Sequence, residues 1–228
     1  MALLPWHKIE TVLLDMDGTL LDLHFDNEFW LNYIPIKLSE KTGKPLKSCQ
    51  DYMEKACAEV YGQINWYCLD YWAEKLDLDI VKAKREIMHL IEIRPDCIPF
   101  LDALKASKRN IALVTNAHPG SLSLKIERTQ LDSHIDTLIS THQFGVSKES
   151  QSLWKQLQAH LGFNPATTLF VDDSERILDA AKTFGIAYTL GITNPDLKKP
   201  DKDINGHPTT NNYLDHISDI VNLPFKPE

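Results

Sequence analysis

Five short runs in which nearly every residue is apolar constrain this chain more than any other feature. They are TVLLDM from residue 11, NIALVTN from 110, DTLIST from 136, TTLFVDD from 167 and IAYTLGIT from 186. A strand with one wet face alternates apolar and polar residues, whereas a run apolar throughout suits a parallel strand covered on both faces. Amphipathic segments separate most of them. Leu153, Leu157 and Leu161 recur every four residues before Gly162, and Ile177, Ala180, Ala181 and Phe184 keep helical spacing before Gly185. Strand alternating with helix predicts an α/β fold, a doubly wound parallel sheet whose ligands lie beyond the carboxyl ends of its strands.

Residues 22 to 94 interrupt that rhythm with helical patterns and no strand. Ile80, Ala83, Ile87, Leu90 and Ile91 predict one amphipathic helix, and Trp66, Leu69, Trp72 and Leu76 predict another. Thr42-Gly43-Lys44-Pro45 and Tyr61-Gly62 punctuate the segment as loops. The expected organisation is an α/β core of residues 1–21 and 95–228, with a small helical domain of residues 22–94 inserted after the first strand. Residues 194 to 212, polar and rich in Pro, Asn and Asp, predict a long surface loop before a short final helix.

A net charge of -8 argues against a nucleic-acid polymer as partner, because such affinity comes largely from Lys and Arg neutralising phosphates. The four cysteines, Cys49, Cys57, Cys68 and Cys97, show no C-x-x-C spacing. No charged and apolar leader opens the sequence, and no apolar run approaches the roughly 18 residues of a membrane span. The expectation is a cytoplasmic protein with reduced thiols and no membrane partner, a monomer or weak homo-oligomer.

The first apolar run ends in VLLDMDGTLLD, where Asp15 and Asp17 stand two positions apart before Gly18 and Thr19. Side chains alternate along a strand, so both carboxylates start on the same side of the backbone. Like charges that close resist joint ionisation unless a cation accompanies them, and Mg²⁺ is the hard cation that carboxylate and phosphate oxygens suit. Gly18 permits a sharp turn, and Thr19 offers a hydroxyl and a backbone N–H.

Later strands end in further candidates. LVTNAHPG puts Thr115 and Asn116 at the close of the second, HQFGVSKES puts Lys148 after the third, and LFVDDSE puts Asp172 and Asp173 at the end of the fourth. Asp172-Asp173-Ser174 equally suits a helix N-terminal cap. Taken together, these residues bring to one crevice a nucleophile, a second acid, a hydroxyl donor, a cation and a metal-binding pair.

In this order, Asp15-Met16-Asp17-Gly18-Thr19, Thr115, Lys148 and Asp172-Asp173 resemble the four motifs of the haloacid dehalogenase superfamily of phosphohydrolases, with a helical cap inserted after the first motif. More narrowly, LLDMDGTLLDL, FDNEFW, NWYCLDYW, IPFLDALKAS, TNAHP, DDSERILDAA and GITNPD resemble its bacterial GMP/IMP nucleotidase branch, over residues 10 to 196. One departure concerns the third motif, often Gly-Tyr-Pro-Lys but here Gly145-Val146-Ser147-Lys148.

The resemblance implies Mg²⁺-dependent hydrolysis of purine nucleoside 5'-monophosphates through an aspartyl-phosphate. Asp15 would be the nucleophile, Asp17 the acid and base, and Thr115, Gly18 and Thr19 the phosphoryl holders. Lys148 would offset charge. Asp15, the Asp17 carbonyl and Asp172 would hold the metal, with Asp173 either a further ligand or a group orienting the ligands. His24, Asp26, Asn27, Trp30, Asn65 and Trp66 in the insert, with Asn116 and His118 in the core, are candidate nucleoside contacts, since aromatic faces stack bases. A sugar-phosphate phosphatase or phosphomutase would use the same core residues, and a silent phospho-ligand-binding protein would keep them without turnover. A haloalkanoate dehalogenase would not need Asp17, and a two-component receiver would lack the insert.

Overall fold

The computed structural model describes residues 3–226. Each apolar run forms a strand: β1 (Thr11–Leu14), β2 (Asn110–Thr115), β3 (Thr137–Ser140), β4 (Thr168–Asp172) and β5 (Tyr188–Ile192). They pair in parallel in the order β3-β2-β1-β4-β5, and a two-residue strand β6 (Thr209–Thr210) extends the edge beside β5. Chain order reverses between β1 and β4, which makes their carboxyl ends the switch point where such sheets bind ligands.

Both faces of the sheet are covered, as continuous apolar strands require. Val12, Leu14, Leu113 and Val171 pack against Phe100 and Leu104 of α7 (Cys97–Ala106) and Ile220 of α11 (Leu214–Asn222). Leu13, Val114 and Phe170 face Trp154 and Leu157 of α9 (Gln151–Leu161) and Leu178 and Ala181 of α10 (Glu175–Phe184). Each fully buried apolar side chain of this kind contributes about 1.5–3 kcal/mol of burial free energy. Between β2 and β3 lies α8 (Pro119–Thr129).

The insert is helical throughout. α1 (His24–Glu28) continues through a π-turn at Phe29–Tyr33 into α2 (Ile34–Thr42), followed by α3 (Leu46–Val60), α4 (Ile64–Tyr67), α5 (Leu69–Leu76) and α6 (Ile80–Glu86). Two sequence expectations are corrected here. The stretch through Trp66 and Trp72 is two helices, because Cys68 takes extended angles (φ -82°, ψ 113°) between them. Trp72 Nε1 donates to the Trp66 carbonyl at 2.9 Å, satisfying an acceptor that the break leaves open. Likewise the helix from Ile80 stops at Glu86, and Met88–Leu90 continue as a tighter 3-10 turn. Apolar spacing alone does not reveal such breaks, since both pieces pack apolar side chains against the same core.

The outgoing and returning chains of the insert meet in an antiparallel bridge between Leu21 and Ile93. Asp22 N donates to the Glu92 carbonyl and Arg94 N to the Leu20 carbonyl, both at 3.0 Å.

Residues 194 to 212 run over the surface, as their polarity predicts, but are tied down along their length. Thr209 and Thr210 pair with Gly191 and Ile192, Asp196 is buried, and Ile204 packs so closely over Gly191 that a Cβ there would sit 2.9 Å from Ile204 Cδ1. The polar groups of this segment are spent on the protein: the Pro195 carbonyl accepts from Leu23 N at 2.8 Å, and Asp196 accepts from Asn27 Nδ2 at 2.7 Å. Among the described residues no helix is long and apolar enough to cross a membrane.

Candidate active site

Asp15 follows β1 directly and Asp172 ends β4, so the two carboxylates flank the switch point. Lys148 Nζ lies 2.5 Å from Asp15 Oδ1 and 2.7 Å from Asp172 Oδ2. Asp15 is 6% exposed, and Lys148 and Asp172 are 1% exposed. The loop carrying Lys148 is held at several points. Trp154 Nε1 donates to the Lys148 carbonyl at 2.9 Å, and Asn116 Oδ1 accepts from Lys148 N at 2.9 Å and from Thr141 Oγ1 at 3.0 Å. Ser147, where the third motif departs from its usual proline, donates to the Gly62 carbonyl of the insert at 3.1 Å.

Burial sets the local titration. Asp15 is pushed up to about 6 by desolvation, opposed by Lys148 and reinforced by Asp172. Asp172 is raised to about 6 by the same desolvation, against Lys148 and with Asp173. For Lys148 burial favours the neutral amine, but the two carboxylates overcome it and keep the ammonium charged.

The donor set fits a hard divalent cation. Carboxylate oxygens of Asp15, Asp172 and Asp173 lie within 4.8 Å of one another, and Lys148 bonds the first two. Asp173 also receives Lys202 Nζ at 2.9 Å. Asp172 Oδ1 also accepts from Ser174 N at 2.8 Å, just ahead of α10. Gly18 turns the chain at φ +81°, and a Cβ there would lie 2.9 Å from both Asp173 Cγ and Pro195 Cβ. Only glycine fits without displacing one of them.

Asp17 meets a second cation. Lys125 Nζ, on α8, is 2.6 Å from Asp17 Oδ1 and 2.6 Å from Asp26 Oδ2, and Lys84 Nζ, on α6, is 2.9 Å from Asp26 Oδ1. The Lys84 ammonium also sits over the rings of Phe25, Phe29 and Trp30, at 4.8, 4.4 and 5.6 Å from their centroids. Desolvation raises Asp17 to about 6 despite Lys125, and nearby Asp26 adds to the rise. Burial alone would raise Asp26 too, but Lys125 and Lys84 together hold it well below the ordinary carboxylate range.

A crevice of about 220 Å³ is lined by Asp15, Asp17, Asp26, Trp30, Trp66, Lys84, Thr115, Asn116, His118, Lys125, Lys148, Asp172 and Asp173, among others. It shares Asp26, Trp30, Tyr61, Trp66 and Asp173 with a wider, mainly apolar groove of about 1400 Å³ between the insert and the core, to which Asn27 also belongs. Thr115 Oγ1 accepts from Ala117 N at 3.0 Å, leaving its own proton to donate into the crevice.

Several candidates lie elsewhere. Gly18 shapes the turn without lining the crevice. Thr19 is fully buried, with its hydroxyl unpartnered and its carbonyl accepting from Tyr213 Oη at 3.1 Å. Asn65 is exposed and lines neither cavity, and His24 faces Asp196 at 3.8 Å.

Lys84, Lys125, Glu149 and Lys202 escape sequence reasoning. For two of them a signal exists: Lys84 stands four residues after Ile80, within its buried stripe, and Lys125 stands four after Ser121, on the α8 face that begins at the strand end. Glu149 joins Asn116 Nδ2 at 3.2 Å to Tyr67 Oη of the insert at 3.0 Å, a pairing without local signature.

Comparison with known proteins agrees with this architecture. The chain is 49% identical over 218 residues to the GMP/IMP nucleotidase YrfG of Escherichia coli (strain K12), covering 96% of this chain and 98% of that protein. It is 23% identical over 199 residues to a phosphorylated carbohydrates phosphatase of Thermotoga maritima, covering 82% and 86%. Among solved structures, a HAD phosphatase from Thermococcus onnurineus superposes with a TM-score of 0.79 at 21% identity, covering 93% of this chain and 98% of that one. Residues 9–185 match the haloacid dehalogenase-like hydrolases, and the chain belongs to that family.

Proposed function

We propose that this hydrolase is a Mg²⁺-dependent 5'-nucleotidase releasing phosphate from purine nucleoside monophosphates, with GMP and IMP as substrates. The observation that carries the reading is the continuity of two spaces: a small crevice holding Asp15, Asp17 and Lys148 opens into an aromatic-edged groove large enough for a nucleoside. The E. coli relative, similar over nearly its whole length, is named for those two nucleotides.

Asp15 attacks phosphorus in line, an aspartyl-phosphate bond forms and the bond to the nucleoside 5' oxygen breaks. Asp17, raised into a range where it is partly protonated at neutral pH, gives its proton to that leaving oxygen. Water then attacks the phosphoryl group, Asp17 takes a proton from it, and the Asp15–phosphorus bond breaks to release phosphate. Lys148 steadies the Asp15 carboxylate and developing phosphoryl charge, and the Thr115 hydroxyl donates to a phosphoryl oxygen. Asp15, Asp172, Asp173 and the Asp17 carbonyl would hold Mg²⁺, which would supply positive charge to offset phosphate and carboxylates together. Trp30 and Trp66 flank the base, and residues 22–94 act as a cap excluding water.

The test is phosphate release from nucleoside monophosphates and sugar phosphates, with Mg²⁺ and with chelator. Metal-dependent release strongest with GMP and IMP supports the reading. Release confined to sugar phosphates overturns the substrate assignment.

A further inference from the structure

Beside the crevice, and outside the carboxylate set, Cys68, His118 and His142 bring one sulfur and two ring nitrogens within 4.8 Å of one another. The three come from separate places. Cys68 occupies the extended bend between α4 and α5 of the insert, His118 the residue before α8, and His142 the 3-10 turn after β3. The imidazole rings stand edge to face, 5.0 Å between centroids.

His142 carries the most telling feature. Its Nε2 is buried without any hydrogen-bond partner, and the Asn116 backbone lies against the same ring. A metal-binding histidine offers one bare ring nitrogen to the ion while a protein group steadies the ring. Left unmet, a buried polar nitrogen is destabilising, and a ligand would satisfy it. His118 Nε2 faces Asp70 Oδ2 at 3.5 Å, an exposed carboxylate on the first turn of α5 that can join the set beside water. The Cys68 thiol is free and half-buried.

We propose that Cys68, His118 and His142 form a second metal site, for a borderline-soft divalent ion of the Zn²⁺ class, which clamps the helical insert to the sheet. Thiolate with two imidazoles selects Zn²⁺ or Co²⁺ and not Mg²⁺. Binding forms one sulfur–metal and two nitrogen–metal bonds, releases the Cys68 thiol proton to water and changes no oxidation state. It replaces the 3.2 Å hydrogen bond that His118 Nδ1 accepts from Gly120 N. Because Trp66, Tyr67 and Leu69 beside Cys68 line the crevice, as does His118, an ion here fixes the crevice wall from both sides of the seam.

The test uses metal-stripped full-length protein in excess Mg²⁺, which fills the carboxylate site, titrated with Co²⁺ and followed by absorption. The expected result is one equivalent bound with a thiolate-to-cobalt charge-transfer band, displaced by Zn²⁺. Cys68→Ser abolishes the band, His118→Ala and His142→Ala each weaken binding by more than about tenfold, and Cys57→Ser behaves as the parent protein. Absence of the band in the parent protein, or its persistence in Cys68→Ser, overturns the site. Unchanged affinity in both histidine variants overturns the clamp across the seam. None of these readouts depends on turnover.

Discussion

Lys125 and Asp17 meet at 2.6 Å although 108 positions separate them in the chain, and the same ammonium holds Asp26 of the insert at 2.6 Å. The residue proposed to handle protons is therefore tied, through one buried cation, to α1 of the insert.

Lys125 lowers the Asp17 carboxyl, so removing it raises that group further. In Lys125→Met, which keeps the stem and loses the charge, the alkaline limb of kcat/KM moves to higher pH by about one pH unit or more. An unmoved limb would show that Asp17 is not the group being read.

Asp26 stands between two buried ammonium groups, and removing one partner of such a pair costs about 3–5 kcal/mol. Its folded-state pKa is depressed, so its contribution is fully present above the unfolded carboxylate value and is lost as pH falls toward the folded one. Denaturant melts of Asp26→Asn should show a large deficit at neutral pH that narrows in acid. A deficit independent of pH would contradict the ion-pair account.

Gly18→Ala forces a Cβ to 2.9 Å from Asp173 and Pro195 in a left-handed backbone. The expected cost is about 1–3 kcal/mol of stability, with weakened Mg²⁺ dependence because Asp173 must move. Calorimetry and a Mg²⁺ titration of activity check both parts.

Trp66 edges both cavities, stacks edge to face on Tyr61 at 5.0 Å and lines the place assigned to the base. Base stacking is worth about 1–3 kcal/mol, so Trp66→Ala should raise KM for GMP about tenfold and leave hydrolysis of a small phosphate ester nearly unchanged. Equal losses on both substrates would assign Trp66 to packing.

Most of the sheet was legible in the sequence because five both-face-buried strands leave uninterrupted apolar runs, and the acids at their ends follow from strand geometry. Asp15, Lys148 and Asp172 gather at the switch point because parallel strands carry their carboxyl ends to one edge. What stayed hidden depends on partners far along the chain. Lys125 and Lys84 look like ordinary helix lysines until Asp17 and Asp26 are folded against them. The break at Cys68 has no proline or glycine to announce it, and the ties that fix residues 194 to 212 are hidden because their partners lie in the insert and on α10.

The most direct test of the account is acid quench of the enzyme during GMP turnover, followed by mapping of the phosphorylated residue. The account predicts a phosphoryl group on Asp15, absent in Asp15→Asn, whose turnover falls by at least about 10³-fold. Turnover in Asp15→Asn within about tenfold of the parent enzyme, or a phosphoryl group trapped on another residue, would contradict it.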